Sequence, residues 1–165
     1  GISNYPAARA KEAFRILREL GTPCLIHQLR YNMLARDYEP DGLFDLLEQE
    51  NIGGIVFSPL AQGILSGKYL NGIPAGSRAA FSSPLQERYL NDAGLGKLRE
   101  LNKVAEARGQ SLAQMAIAWI LRQPSVASAL IGASRPEQIT EIAKCLSNTK
   151  FSAEELQIID QVTSC

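Results

Sequence analysis

Apolar positions along the chain alternate between two spacings, and the alternation predicts a succession of strands and helices. In residues 7–20, Ala10, Ala13, Phe14 and Leu17 fall on one face while Arg9, Arg15 and Arg18 lie outside it, which is the helical period. Pro6 before this stretch and Gly21 after it are start and stop signals. Pro23 then introduces the short apolar run 24–28, suited to a buried strand. A second amphipathic helix is predicted over 42–49, with Leu43, Leu46 and Leu47 inward, and a strand over 53–57 that ends at Ser58 and Pro59.

Residues 61–91 show no clean period and carry Gly63, Gly67, Gly72, Pro74, Gly76 and Pro84, which predicts mostly loop. A loop of that length in a domain is usually functional or disordered. Helices are predicted over 95–108 and 112–122, separated by Gly109 and with Ser111 as a cap. Residues 125–131 read as a strand ending at Gly132, residues 136–146 as a helix, and Ser152 with Glu155 as a capping box opening a last helix. The first four residues read as the exit of a further strand. This order implies parallel strands joined by right-handed crossovers, with 25–27, 55–57 and 129–131 adjacent and the helices outside. Three whole strands and a stub make about half of a (β/α)8 barrel, which needs about 250 residues against the 165 of this chain.

Composition narrows the function without choosing it. The chain is 45% hydrophobic and 21% charged, as for an ordinary globular protein. Lys plus Arg and Asp plus Glu number 17 each, so no basic footprint suggests nucleic acid. The longest uninterrupted apolar stretch, 115–121, is far too short to span a bilayer, and no secretory signal opens the chain; a cytoplasmic protein with no membrane partner is expected. Starting at Gly1 without methionine, the chain reads as a segment of something longer. Cys24, Cys145 and Cys165 show no metal-ligand spacing; the first two are expected to be buried and apolar, and Cys165 exposed at the end.

Parallel α/β folds place their sites at the C-terminal ends of strands. That rule selects residues 1–4, 27–28, 57–60 and 132–134. Three of the four offer small polar groups able to hydrogen-bond an amide or phosphate, and Phe57 offers a ring to stack on a planar heterocycle. Residues 132–134 lead into a helix start, whose N–H groups attract an anion. Together these read as a nucleotide or phosphate site. His27, the one histidine, is expected to be structural, Trp119 to be core, and Glu154 and Glu155 to suit a helix dipole. No Ser/His/Asp set, metal cluster or paired carboxylates stand out.

The segment FSPLAQGILSGKY at 57–69, with GIP at 72–74 and Ser77-Arg78, and the segment IGASRPEQ at 131–138 carry a family resemblance, joined by GISN at 1–4 and by His27-Gln28 and Tyr31-Asn32 in matching order. The chain resembles the aldo-keto reductases, in the branch of potassium-channel β-subunits and bacterial glyceraldehyde-3-phosphate reductase-like proteins. The resemblance implies the C-terminal half of a (β/α)8 TIM barrel over residues 1–165, with parallel strands and outer helices, and NADP(H) as cofactor. It implies that Ser3, Asn4 and Gln28 hold the nicotinamide carboxamide and that Phe57 stacks on the ring. Ser58, Pro59, Leu60, Gly63 and Ser66 would line the pyrophosphate path, with Lys68 and Arg78 folding over the phosphates. Gly132, Ser134 and Gln138 would receive the adenosine end and its 2′-phosphate, with Glu141 near the adenine; Ile142 stands where relatives often carry Asn.

The family's catalytic Asp, Tyr, Lys and His would lie before Gly1, so no catalytic residue is assigned in this chain. The implied whole enzyme reduces a small aldehyde or ketone to an alcohol with NADPH, this chain supplying cofactor binding. The alternatives are an inactive truncated fragment and an NADPH-sensing regulatory module like a channel β-subunit. A homo-oligomer or a separate N-terminal half is the expected macromolecular partner.

Overall fold

The computed structural model describes residues 1–164, and the chain folds as two compact units. Cys165, expected to be exposed, lies outside the described residues.

The first unit comprises residues 1–59 and 120–132. It holds β1 (Ile2–Ser3), α1 (Ala7–Glu19), β2 (Ile26–Arg30), α2 (Leu43–Gln49), β3 (Gly53–Phe57) and β4 (Val126–Ala129). The strands form one sheet in the order β1-β2-β3-β4, every pair parallel, as the alternation predicts. His27 pairs in register with Gly54, and Leu29 with Val56, so these buried residues share one face. That face is the helix side: a Cβ placed on Gly54 would stand 3.6 Å from both Leu29 and Leu47. Ala10 and Phe14 of α1 are buried and Arg9, Arg15 and Arg18 are exposed, following the predicted helical stripe.

Two strand boundaries differ from expectation. β2 begins two residues late, because Leu25 projects outward, 71% exposed, and only Cys24 and the residues from Ile26 onward turn toward packing partners. β4 ends at Ala129, with Leu130 45% exposed, although the Leu130 N–H still donates to the Val56 carbonyl at 2.7 Å.

The second unit comprises residues 60–119 and 133–164 of the described chain. It holds α3 (Ser83–Tyr89), α4 (Asp92–Ala107), α5 (Leu112–Leu121, its last two residues falling in the first unit), α6 (Pro136–Ala143) and α7 (Ala153–Thr163), with 3-10 turns at Ala61–Ser66, Arg78–Phe81 and Lys144–Ser147. Residues 112–120 are buried on every side, Trp119 among them at 0% exposure, so the indole is core as expected. α7 opens on the predicted capping box: Ser152 Oγ accepts from the Glu155 N–H at 3.1 Å and Glu155 Oε2 from the Ser152 N–H at 2.7 Å. The Arg108 side chain, 2% exposed, donates to Glu155 at 2.6 Å and to the Asn148 carbonyl at 3.0 Å while stacking 3.7 Å over Phe151. The stretch 61–91 contains α3, where loop was expected; Pro84 sits in its first turn, where a missing N–H costs nothing. α4 begins at Asp92 rather than residue 95, because Asn91 caps it by accepting from the Gly94 N–H at 2.8 Å. α6 stops at Ala143, and the rest of the predicted 136–146 helix tightens into the Lys144–Ser147 turn.

Candidate functional site

In the first unit, the ends of β1, β2 and β3 bring four of the expected site residues into one neighbourhood. Ser3 is the register partner of Gln28, and Phe57 that of Arg30, so the side chains are placed by the sheet itself. Ser3 and Gln28 lie on the face opposite the buried core, exposed and half-buried respectively. Asn4 leaves the strand in the left-handed region (φ 57°), its N–H donating to the Gln28 carbonyl at 2.8 Å and its side-chain amide to Ser3 Oγ at 3.1 Å. An Asn tolerates that conformation better than most residues, and such outliers gather at ligand clamps. Side-chain amides and a hydroxyl so grouped match the donor and acceptor pattern of a carboxamide.

Ser58 also adopts a left-handed backbone (φ 54°), which turns the chain sharply out of β3 behind the half-buried Phe57. Its carbonyl accepts from Asn32 Nδ2 at 2.9 Å, and Asn32 Oδ1 accepts from the Leu34 N–H at 2.9 Å. Asn32 is 2% exposed and also exchanges backbone hydrogen bonds with Ala35. It is a positioning residue to which sequence reasoning assigns no role; a polar residue just past a strand end, beside Tyr31, is the available signal. Pro59 is buried beside Ser58, and Gly132 lies beyond the end of β4, exposed.

A cleft of about 620 Å³ opens at the same strand ends, lined by Asn4, Arg30, Asp37, Tyr38, Asp41 and Phe57. Its far wall is the segment after β2, which is anchored at several points. Asp41 Oδ2 accepts from the Ala7 N–H at 2.6 Å, so a remote carboxylate caps α1, which its own Pro6 cannot do. Glu39 accepts from the Tyr31 hydroxyl, pairs with Arg36 at 2.6 Å and lies 3.5 Å from Arg122. Burial pushes the Tyr31 phenol up to about 12, so it remains a donor. Tyr38 is likewise raised, by burial first and then by the Asp37 and Asp41 charges.

His27 is fully buried behind this site, its Nε2 standing 3.3 Å from the Tyr5 nitrogen and 3.2 Å from the Tyr5 carbonyl oxygen. Burial lowers its pKa, so the neutral ring is favoured. Its burial places the ring in the packing rather than among the residues lining the cleft.

In the second unit, Leu60 is half-buried and the chain turns through left-handed Ala61, Gln62 and Gly63 (φ 47°, 58° and 93°). A side chain at Gly63 would meet Lys68 Nζ at 3.1 Å, so the lysine folds back across the turn. Ser66 Oγ donates to the Gly63 carbonyl at 2.6 Å. Buried Tyr69 then ties two parts of the long segment together, its hydroxyl accepting from the Ala79 N–H at 3.3 Å. Exposed Lys68 and exposed Arg78 flank the two ends of that bond. Burial raises the Tyr69 phenol, but the Ala79 hydrogen bond and the Lys68 charge outweigh it and bring the pKa below its ordinary value.

The Ser134 and Arg135 N–H groups, read as open to an anion, donate to Gln138 Oε1 at 2.8 and 3.3 Å. Ser134 Oγ lies 3.3 Å from the same oxygen. Glu141 is exposed, but its Oε1 accepts from Ser111 Oγ at 2.9 Å. Ile142 is 8% exposed and belongs to the core, so the residue at that position packs inward rather than presenting a surface for adenine.

Among the described residues, no group of three or more His, Cys, Asp or Glu could hold a metal ion, and no helix is long and apolar enough to cross a membrane. Cys24 and Cys145 are buried free thiols.

Comparison with known proteins points one way. The Aldo/keto reductase family profile matches residues 1–164. The chain is 48% identical over 165 residues to the L-glyceraldehyde 3-phosphate reductase of Escherichia coli K12, covering 98% of this chain and 48% of the relative. It is 39% identical over 168 residues to a candidate voltage-gated potassium channel β subunit of Schizosaccharomyces pombe, covering 98% and 49%. Among solved structures, the glycerol dehydrogenase of Gluconobacter oxydans matches with a TM-score of 0.78 at 27% identity, over 98% of this chain and 47% of that one. A thermostable aldo-keto reductase crystallised with the inhibitor epalrestat matches with a TM-score of 0.70 at 25% identity and the same coverage. The chain therefore spans about half the length of the curated relatives it matches.

Proposed function

This chain belongs to the aldo/keto reductase family, and on that premise we propose that it carries the NADPH-binding part of an enzyme that reduces an aldehyde or ketone to an alcohol. The observation that carries this reading is the grouping of Ser3, Asn4 and Gln28 beside Phe57 at the strand ends, where hydroxyl, amides and ring fit a nicotinamide carboxamide and its plane. When bound, the cofactor supplies the hydride. The chain's own residues hold and orient it: Ser3, Asn4 and Gln28 fix which ring face is presented, and Phe57 supports the other. Ser58, Pro59, Leu60, Gly63 and Ser66 are the pyrophosphate candidates, Lys68 and Arg78 the cations for its charge. Gly132, Ser134, Gln138 and Glu141 serve the adenosine end and its 2′-phosphate.

By the same resemblance the catalytic Asp, Tyr, Lys and His would lie before Gly1, so the 165 residues are expected to bind cofactor without turnover. NADPH fluorescence titration of the purified chain tests the reading. Saturable binding lost in Phe57→Ala and Gln28→Ala supports it; binding indifferent to both variants moves the cofactor elsewhere. Carbonyl reduction by the chain alone would show the catalytic residues to be misplaced.

The likeness to the channel β subunit supports a second reading, an NADPH-sensing regulatory module. Cofactor-dependent capture of a membrane-protein partner, with no turnover once an N-terminal half is supplied, would favour it over the reductase.

A further inference from the structure

Consecutive residues of β2 hold the two peptide groups that flank Asn4. The peptide before it carries the Asn4 N–H, which donates to the Gln28 carbonyl at 2.8 Å. The peptide after it carries the Tyr5 N–H, which lies 3.3 Å from His27 Nε2. Asn4 has a φ of 57°, and such a backbone persists where its surroundings over-determine it. Gln28 holds its side through a carbonyl, which keeps one role at every pH. His27 holds the other through a group whose role can change.

The direction of the Tyr5 N–H is set by its peptide plane, and it points at Nε2. The ring nitrogen therefore accepts, which puts the proton of the neutral ring on Nδ1. Nδ1 is buried without a hydrogen-bond partner among the described residues, so this tautomer is held at a cost. The Tyr5 carbonyl oxygen, in the peptide leading to Pro6, stands 3.2 Å from the same Nε2. A second proton on the ring lands on Nε2, faces the Tyr5 N–H and is drawn to that carbonyl instead. The hold then passes one peptide along the chain, and Asn4 is released on one side.

The elements packed around the ring do not supply it with a buried countercharge. Its register partners on β1 and β3 are Ile2 and Gly54. The buried residues of α1 are Ala10 and Phe14, and those of α2 are Leu43, Phe44, Leu46 and Leu47. At the start of α1 the ionisable groups are the exposed Tyr5 side chain and Asp41, whose Oδ2 is engaged by the Ala7 N–H. Burial acts most strongly on the ring and disfavours its charge, outweighing the carbonyls of Tyr5 and of His27 itself.

We propose that His27 is a positioning residue for Asn4, its neutral ring fixing the asparagine through Tyr5 and releasing it on protonation. The proposal rests on the reading of Asn4, with Ser3 and Gln28, as a ligand of the cofactor carboxamide. Affinity is then full where the ring is neutral and falls as pH drops through the folded pKa, which lies below the ordinary 6.5. Binding and protonation oppose each other, so bound cofactor lowers the ring's pKa in return.

His27 is the one histidine of the 165-residue chain, so its ring nitrogen signals in ¹⁵N NMR are unambiguous. At mildly alkaline pH they should show Nδ1 protonated and Nε2 bare. As the solution is acidified, the Asn4 and Tyr5 amides should move with the midpoint of the ring, and NADP⁺ should shift that midpoint to lower pH. His27→Gln offers an oxygen in place of Nε2 and does not titrate. It should match the unaltered chain for NADP⁺ at alkaline pH and bind roughly tenfold more tightly than it in acid. Taking the ratio of the two proteins at each pH cancels the titration of the cofactor's own phosphate. His27→Phe should be roughly tenfold weaker than His27→Gln throughout.

An Nε2-protonated neutral ring, or Asn4 and Tyr5 amides that stay still while the ring titrates, overturns the proposal. So does a ring that remains neutral until the chain unfolds. These three outcomes are read on the unaltered chain, so a misfolded variant does not obscure them. Amides that follow the ring, with Gln28 and Phe57 unmoved by NADP⁺, would sink the cofactor reading and leave the hold on Asn4 standing. Saturable NADP⁺ binding with a ratio independent of pH would sink the positioning role alone.

Discussion

The strand-end region of the first unit and the long segment of the second are built on different principles, and each depends on one buried polar side chain. At the strand ends, Ser3, Gln28 and Phe57 are placed by β-ladder register, and Asn32 only has to clamp the turn at Ser58. In the segment from Ala61 to Phe81 no ladder exists, and the Tyr69 hydroxyl with the Ala79 N–H brings the flanks of Lys68 and Arg78 together. A ladder fixes rigid groups suited to a ring's orientation. The single tether joins segments whose cations are both exposed, Lys68 lying 4.9 Å over the Tyr69 ring.

The largest expected effect tests the clamp. Asn32→Ala strips partners from the Ser58 carbonyl and the Leu34 N–H inside a 2% exposed site, and should lower unfolding stability by about 3 kcal/mol in denaturant titration. A loss below about 1 kcal/mol would mean the turn is held by the ladder alone.

Next come the cations. Lys68→Ala and Arg78→Ala should each weaken NADPH by roughly one to two powers of ten at fixed salt. At least one should affect NADH much less; equal losses for both cofactors in both variants would assign the two residues to the pyrophosphate.

A smaller effect separates tether from clamp. Tyr69→Phe should lower stability by only about 1 kcal/mol, while raising hydrogen exchange at Ala79 and weakening NADPH. Unaltered cofactor affinity would show that the Lys68 and Arg78 segments need no such tie.

The slightest effect is in pH. His27 has a lowered pKa when folded, so the unfolded chain takes up more protons as pH falls below about 6.5. Stability is therefore full above that value and declines below it, and His27→Gln should flatten that decline in thermal melts recorded from neutral to acidic pH. An identical slope in both proteins would place the proton uptake elsewhere.

What the sequence displays follows the same division. β3 is legible to the residue, because the apolar run 53–57 is bounded sharply by Ser58 and Pro59, although only folding shows that Gly54 and Val56 are its buried face. α3 is hidden because Pro84 reads as a breaker, whereas a helix start accepts proline. The start of α4 is obscured by Gly94, a residue that discourages a helix in isolation. Its need is tertiary: a Cβ there would lie 2.3 Å from the Tyr89 carbonyl oxygen at the end of α3. Leu25 looks like core by composition and is outward because hydropathy carries no direction. Of the site, residue types and positions are legible through resemblance, whereas the clamp by Asn32 and the contacts of His27 with Tyr5 arise only from folding.

The arrangement at the head of α6 has a thermodynamic consequence. Gln138 already occupies the donors of Ser134 and Arg135, serving as a built-in understudy for an external acceptor. If a phosphate binds there as proposed, it would trade places with an amide oxygen instead of filling bare N–H groups, and its affinity would reflect the difference between two sets of hydrogen bonds. The incumbent lowers the affinity of every newcomer by the same factor, so a neutral hydroxyl, which gains little over the amide oxygen, would be left without net binding where a doubly charged group would still have some.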